Sequence, residues 1–257
     1  MTRHAARRWM VRAVQAGVVL GVCALWELSS RRGWLDATVM PSLLATAREI
    51  GRLVADAQFQ REGLVTLGRV ALAFAAALPF AFALGLMGSQ ANAVGRHAER
   101  AVGFLMTVPQ SIFLPLFMLV LGTGLAQKVV FGATHIIFFV AVITIAAIKT
   151  VPRSYAMAAR SFGASSLQIA GKVYVPAMFP SLVGGLRIGF LYGSLGVLLA
   201  EMYGSRQGIG VLLNQWQEAG DSVRLNAALL VVSAITIAAN VLLRALEARV
   251  SHWRNGA

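Results

Sequence analysis

Met157–Pro176 reads MAARSFGASSLQIAGKVYVP, a polar, small-residue stretch between two apolar runs. Its residue order predicts two short helices. Tyr155 to Phe162 consists of good helix formers and small side chains, so a helix there presents Ala158, Ala159 and Ser161 as a shallow surface that a partner's groove can approach closely. Gly163 tolerates positive φ and ends that helix. Ser165 or Ser166 caps a second short helix, Leu167 to Tyr174, and Pro176 is expected to break the chain before the next apolar run. Ordinary connections are about 4–6 residues long. A polar connection several times longer points to docking rather than simple linkage.

The chain around it is apolar: 58% hydrophobic residues, 13% charged and a mean hydropathy of +0.70. Soluble domains carry about 25% charged residues, so the composition describes a membrane domain. The net charge of +13 does not indicate nucleic acid, because the basic residues flank apolar runs instead of forming one stripe. Lipid headgroups and membrane orientation account for them. The lone Cys23 excludes a disulfide framework and a cysteine metal cluster.

Six apolar runs approach the roughly 20 residues needed to cross a bilayer: Val11–Leu28, Val70–Met87, Ala101–Leu121, Val129–Ile148, Ser181–Leu199 and Asn226–Leu243. Barrel strands are shorter and alternate, so the spans are helical. The charged start, Arg3, Arg7, Arg8 and Arg12, is like that of a signal peptide. No convincing small-x-small cleavage site follows, and an uncleaved first span is expected. With both termini inside, fourteen Lys and Arg fall inside and nine outside, the latter including Arg61, Arg69 and Lys128. Of the acids only Glu99 and Glu247 fall inside. The positive-inside rule then gives N-in, C-in and a cytoplasmic Met157–Pro176 loop. Two outer segments are long. Pro41-Ser42 followed by Leu43 to Ala57 reads as a capped amphipathic helix. Glu201–Leu225 carries Gly204, Gly208 and Gly210, then a helical pattern through Leu212, Leu213 and Trp216. Both suit either a soluble partner or a surface lid.

Spacing within the opening stretch goes further. Ala158-Ala159 is followed after three residues by Gly163, and after nine more by Val173, Tyr174, Val175 and Pro176. This resembles the EAA loop of ABC-importer permeases, Glu-Ala-Ala-x3-Gly-x9-Ile-x-Leu-Pro, with Met157 where the family has Glu. Val108-Pro109-Gln110 through Leu114-Pro115-Leu116-Phe117 to Leu121-Gly122-Thr123-Gly124 looks like the third span of the nitrate/taurine/aliphatic-sulfonate class of these permeases. Leu186-Arg187 through Ala200-Glu201-Met202, then Gly208-Ile209-Gly210, looks like that class's fifth span and following loop.

The resemblance implies an all-α, polytopic membrane protein of about six transmembrane helices, with the type I ABC-importer permease (MetI-like) fold. It implies one transmembrane domain over 1–257: an N-terminal span at 11–28, a core at 60–250 and a cytoplasmic coupling loop at 150–177. The implied setting is the bacterial inner membrane. The implied partners are an ABC ATPase subunit, an extracytoplasmic solute-binding protein and a second permease copy in a homodimer. The implied solute is small and often anionic, like a sulfonate, taurine or nitrate. In the coupling loop it assigns ATPase contact to Met157, Ala158, Ala159, Arg160, Gly163, Ala164, Ser165 and Pro176. Methionine at 157 replaces a charged contact by a flexible apolar one, and Arg153 and Arg160 offer polar alternatives.

Other residues stand out for pathway or packing. Pro109 and Pro115 fall inside an apolar run and each is expected to bend a helix, as suits a gated pathway or simple packing. Gln110 and Tyr192 are plausible polar groups along a pathway. Glu201, at the outer end of the fifth span, shapes an outer gate or braces the following loop, since an ionisable group at this depth is costly. Gly185, Gly189 and Gly193 form overlapping GxxxG repeats for close packing, within one subunit or across a homodimer. Gly17 and Gly21 make a weaker instance. His135 reads as a satisfied packing residue, and Arg187 as a side chain snorkelling to the headgroups.

Gly171-Lys172 fails as a phosphate-binding loop. The preceding glycine, Gly163, is eight residues away where the motif needs five, and Val173 follows in place of Ser or Thr. The chain is therefore expected to bind no nucleotide or other cofactor and to be no enzyme, with ATP bound by a partner. No metal spacing or Ser-His-acid constellation is readable. A secondary transporter driven by an ion gradient is the alternative. It requires intramembrane carboxylates or interrupted helices as coupling sites, and only Glu27 and Glu201 border spans, with no carboxylate mid-span.

Overall fold

Two prolines in the third apolar run act differently. Pro109 holds its predecessor Val108 in extended backbone, φ −75° and ψ 126°, because the proline ring clashes with a helical residue before it. The run splits into α4 (Ala93–Thr107) and α5 (Leu114–Leu121), joined through a 3-10 turn at Gln110–Phe113 with a bend of 81°. Pro115 sits in the first turn of α5, where its missing N–H would have had no helical partner anyway. The expectation of one continuous span at Ala101–Leu121, bent at each proline, is corrected: there is one break, and Pro109 makes it.

The computed structural model describes residues 3–34, 36, 39–90 and 92–251, and its regular structure is all helical. The other helices are α1 (Arg3–Arg31), α2 (Leu43–Ala55), α3 (Ala57–Gly88), α6 (Leu125–Lys149), α7 (Arg153–Ser161), α8 (Ser166–Ile169), α9 (Val175–Met202), α10 (Ile209–Glu218) and α11 (Ser222–Ser251). Five stretches are long and apolar enough to cross a membrane: Trp9–Arg31, Ala57–Gly88, Leu125–Lys149, Ser181–Met202 and Ser222–Ala245. The bent α4–α5 pair makes a sixth if taken as one span. The second span begins well before Val70, so Arg61 and Arg69, read as outer-loop residues, lie inside α3. Lys128, also counted outside, lies in the first turn of α6. Arg254 lies outside the described residues, as do the side chains of Arg3, Arg7, Arg8, Glu247 and Arg249.

The chain divides into two compact units: Met1–Gln60 with Leu212–Ala234, and Arg61–Val211 with Ile235–Ala257. In the first unit, the end of α1 is stitched to the start of α2. Glu27 accepts the Leu43 N–H at 2.8 Å, and the Trp26 indole donates to the Pro41 carbonyl at 2.8 Å. Ser42 caps α2 as expected, its hydroxyl accepting the Ala45 N–H at 3.2 Å. Glu49 on the buried face of α2 accepts from Arg52 (3.1 Å) and Arg224 (3.4 Å).

The second unit is built on close helix approach. Ala73, Ala77 and Ala81, one turn apart on α3, are fully buried against Ala133, Ile136 and Val140 of α6 and Val197 of α9. A second layer joins Ala147 and Ile148 of α6 to Met178 and Leu182 of α9. In lipid no hydrophobic force distinguishes helix from solvent, so contact comes from small residues that let backbones meet. A Cβ at Gly185 would lie 2.7 Å from Ile143, at Gly189 2.9 Å from Val140, and at Gly193 2.5 Å from Ile136. These glycines therefore receive α6 of the same chain. His135 is a packing residue, its Nδ1 2.9 Å from the Phe131 carbonyl. Arg187 does not simply snorkel, because its guanidinium donates to Asn240 of α11 at 2.9 Å.

Gly193→Val is expected to cost about 1–3 kcal/mol through overpacking, read as a lower unfolding midpoint in detergent. Gly21, with nothing within 4 Å of a built Cβ, accepts alanine without loss.

Candidate functional site

Two constructions in the second unit are candidates, and they are chemically opposite: one is an exposed apolar knob, the other a buried charged clasp.

The knob is the segment between α6 and α9. α6 stops at Lys149, with Thr150 capping it and donating its hydroxyl to the Ala147 carbonyl at 2.7 Å. Pro152 opens α7. At the other end of α7, Gly163 takes φ +78°, its N–H donates to the Arg160 carbonyl (2.9 Å), and the Ala164 N–H reaches back to Ala159 (3.0 Å). This is the paired hydrogen-bond closure that a left-handed glycine permits. Ser165 then caps α8 in a reciprocal box with Gln168: its hydroxyl accepts the Gln168 N–H at 3.3 Å, and its own N–H donates to the Gln168 side chain at 2.8 Å. Of the two serines proposed as the cap, Ser165 is the one used.

The second helix does not end at Pro176. From α8 the chain passes through a π-turn at Ala170–Tyr174 directly into α9, with Pro176 in the first turn. The expected chain break is corrected: the residue before Pro176 stays helical, and the π-turn takes up the distortion just upstream.

Ala156 and Ile169 are buried and anchor the segment, while Met157, Ala158, Arg160, Gly163 and Ser165 are exposed and Ala159 and Ala164 half-buried. The most exposed apolar side chains are ones the sequence reading passed over: Phe162 at 91% and Leu167 at 83%, with Tyr155 and Met157 also outward. Large apolar groups held outward on a rigid polar turn have the character of an interface.

The clasp lies at Glu201, near the end of α9. Its side chain is wholly buried, and its hydrogen bonds tie it to α3 and to the first turn of α10. Thr66 donates to it at 2.8 Å, Arg69 at 2.7 Å and the Gly210 N–H at 3.1 Å. Arg69 also donates to the Gln207 carbonyl at 2.7 Å. Thr66 accepts the Ile209 N–H at 2.9 Å, and Glu62 accepts the Gly208 N–H at 2.6 Å. Glu62, Thr66 and Arg69 stand on one face of α3 at helical spacing, and together with Glu201 they bind the loop by its backbone. Gly208 has φ +106°, and a Cβ there would fall on the Glu201 carboxyl group. Lys128, also buried, donates to the Thr123 carbonyl.

The remaining pathway candidates are not gathered with Glu201. Pro109 and Pro115 are exposed at the α4–α5 break, and Gln110 beside them is half-buried. Tyr192 lies nine residues before Glu201 on α9, about 13 Å along the axis, stacked on Phe139 with ring centroids 3.7 Å apart. Among the described residues no group of three or more His, Cys, Asp or Glu is placed to hold a metal. Sequence reading singled out Glu201, Gly208 and Gly210 of the clasp, but took Arg69 for an outer-loop charge and passed over Glu62 and Thr66.

A family model described as "binding-protein-dependent transport system inner membrane component" matches residues 81–252. The chain belongs to this family. Among curated relatives, this permease is 23% identical to the putative aliphatic sulfonates transport permease protein SsuC of Bacillus subtilis over 247 residues, covering 96% of this chain and 88% of that one. It is 29% identical to the taurine transport system permease protein TauC of Escherichia coli K12 over 218 residues, covering 84% and 78%. A solved structure, an inward-facing form of the MetNI methionine ABC transporter, contains a chain of the same fold. Its TM-score is 0.60 at 21% identity, over 81% of this permease and 97% of that chain. The permease is thus a multi-pass, non-catalytic inner-membrane subunit of a binding-protein-dependent ABC importer, and the ion-driven alternative falls away.

Arg69→Met is expected to cost about 3–5 kcal/mol, because it leaves a fully buried carboxylate without its cation. The measurement is the unfolding midpoint of the purified permease, and Glu201→Gln is expected to lose less than Arg69→Met.

Proposed function

We propose that the Met157–Pro176 segment seats a separate ATPase subunit, and that the apolar knob made by Phe162 and Leu167 is its principal contact. The observation that carries this is the outward hold of both side chains on a turn whose two ends are locked, by Gly163 on one side and by the Ser165–Gln168 box on the other. A partner binding there meets a preformed surface and loses little ordering entropy on docking. Met157, also exposed, adds an adaptable apolar contact beside them. Ala158, Ala159, Arg160, Ala164 and Ser165 form the surrounding surface, and Pro176 and the π-turn join it to α9. Movement of the docked ATPase is passed to α9 through this continuous helical path.

The whole chain works as one permease domain, oriented N-in, C-in, and pairs with a second permease copy around a shared pathway. Tyr192, Gln110 and the proline break at the α4–α5 junction line or gate that pathway, while Glu201 braces the outer loop. The solute is a small organic anion of the sulfonate or taurine kind. The names of the relatives support this class.

The test is co-purification in mild detergent. Tagged wild type is expected to bring down an ATPase subunit, and Phe162→Ala with Leu167→Ala is expected to lose it at least tenfold without a change in unfolding midpoint, since neither side chain packs in the core. Met157→Glu is expected to retain it. Full recovery of the ATPase with the double variant would contradict the docking surface.

A further inference from the structure

Between residues 63 and 200 the chain has nine Lys and Arg and a single acid, Glu99. Glu99 is already paired: Lys149, at the end of α6, donates to it at 2.5 Å. Arg100, the next residue on α4, is exposed and has no hydrogen-bond or ion-pair partner among the described residues. Arg96 stands one turn before it on the same exposed face. Two guanidiniums are thus presented side by side, while the one acid near them in sequence is held on α6.

Beside this basic face lies an apolar groove of about 450 Å³ between the end of α3 and the start of α4. Its lining is Met87, Ala93, Val94, His97, Ala98 and Ala101. Val94, His97, Ala98 and Ala101 follow helical spacing, so the groove runs along one stripe of α4, with Arg100 one turn from His97 at its edge. His97 is the only polar side chain in the lining, and its Nδ1 lies 2.7 Å from the Ala93 carbonyl of its own helix. Beyond Ala101 the stripe continues through Phe104 and Leu105, both exposed.

The two features suit two ends of one molecule. Guanidiniums take phosphate oxygens in paired hydrogen bonds, and the groove takes hydrocarbon. A free phosphate leaves the groove unused, and a zwitterionic lipid brings a cation of its own to two arginines. We infer that this corner of α3 and α4 binds a phospholipid with an anionic headgroup from the cytoplasmic leaflet, its phosphate on Arg96 and Arg100 and an acyl chain in the groove. The inference rests on the N-in orientation, which puts the α3–α4 turn at the cytoplasmic surface, where the negative potential of the leaflet favours clustered cations. Glu99 and Lys149 hold α4 on α6 from one side, and the lipid braces the other side of the inner half of the broken span.

Orientation is checked first. Gln90→Cys on a Cys23→Ser background, exposed at the α3–α4 turn, is expected to react with a membrane-impermeant maleimide in inverted vesicles and not in intact spheroplasts. The reverse pattern sinks the N-in reading, and the inference with it. The purified permease–ATPase complex is then placed in lipid nanodiscs holding phosphatidylglycerol or phosphatidylcholine with a photoreactive acyl chain, and labelled peptides are mapped by mass spectrometry. Phosphatidylglycerol is expected to label residues 93–105 about fivefold more than phosphatidylcholine at equal content, and Arg96→Gln with Arg100→Gln is expected to abolish the preference. Ala101→Trp, which fills the groove from an exposed position, is expected to cut the labelling by both lipids without lowering the unfolding midpoint. With position 90 facing inward, three results overturn the inference alone: equal labelling by the two lipids, labelling confined to other segments, or displacement of phosphatidylglycerol by excess inorganic phosphate. A fourth is an adduct with the ATPase subunit or a second permease copy, in place of lipid, from a photoreactive maleimide on Val94→Cys in the groove.

Discussion

A carboxylate with no water around it must be surrounded by donors, and Glu201 is such a group. Thr66, Arg69 and the Gly210 N–H surround it. Because those donors come from α3 and from the first turn of α10, satisfying one charge of α9 fixes three chain segments at once. Glycine at 208 is then obligatory, since the backbone passes against the carboxylate at positive φ. The α6–α9 contact obeys a related constraint. Lipid gives helices no reason to meet except close fit, and the glycines of α9 provide it against Ile136, Val140 and Ile143. The clasp and the glycine contacts together fix α9 near its C-terminal end and along its length.

The segment before the N-terminal end of α9 has the opposite design. Phe162 and Leu167 are held away from the core on a short segment with two well-formed caps. Apolar groups so placed are left in water at a free-energy cost that a partner covering them would remove. The permease is therefore tight where it meets itself and unsatisfied where a soluble subunit is expected.

Much of this was legible in the sequence, for local reasons. Apolar runs located the spans, Ser42 announced α2, and Gly163 announced the end of α7, because each depends on residues within a few positions. What stayed illegible was long-range or cooperative. Arg69 and Lys128 look like loop charges when hydropathy is averaged. They are helical because partners far away in sequence, such as Glu201 for Arg69, or a local carbonyl, Thr123 for Lys128, neutralise or satisfy them. Pro176 looks like a helix breaker, yet a proline in the first turn is tolerated and a π-turn relieves the rest. Pro115 escaped the bending expected of it for the same first-turn reason. The outward aim of Phe162 and Leu167 follows from the cap geometry and is invisible to composition.

The most direct test uses the lone cysteine to advantage. On a Cys23→Ser background, Leu167→Cys is treated with a short thiol-to-amine cross-linker in intact membranes, with Arg206→Cys as the outer-loop comparison. The account predicts an adduct with an ATPase subunit from position 167 and none from position 206. An adduct from 206, or an intact permease–ATPase complex that gives none from 167, would contradict it.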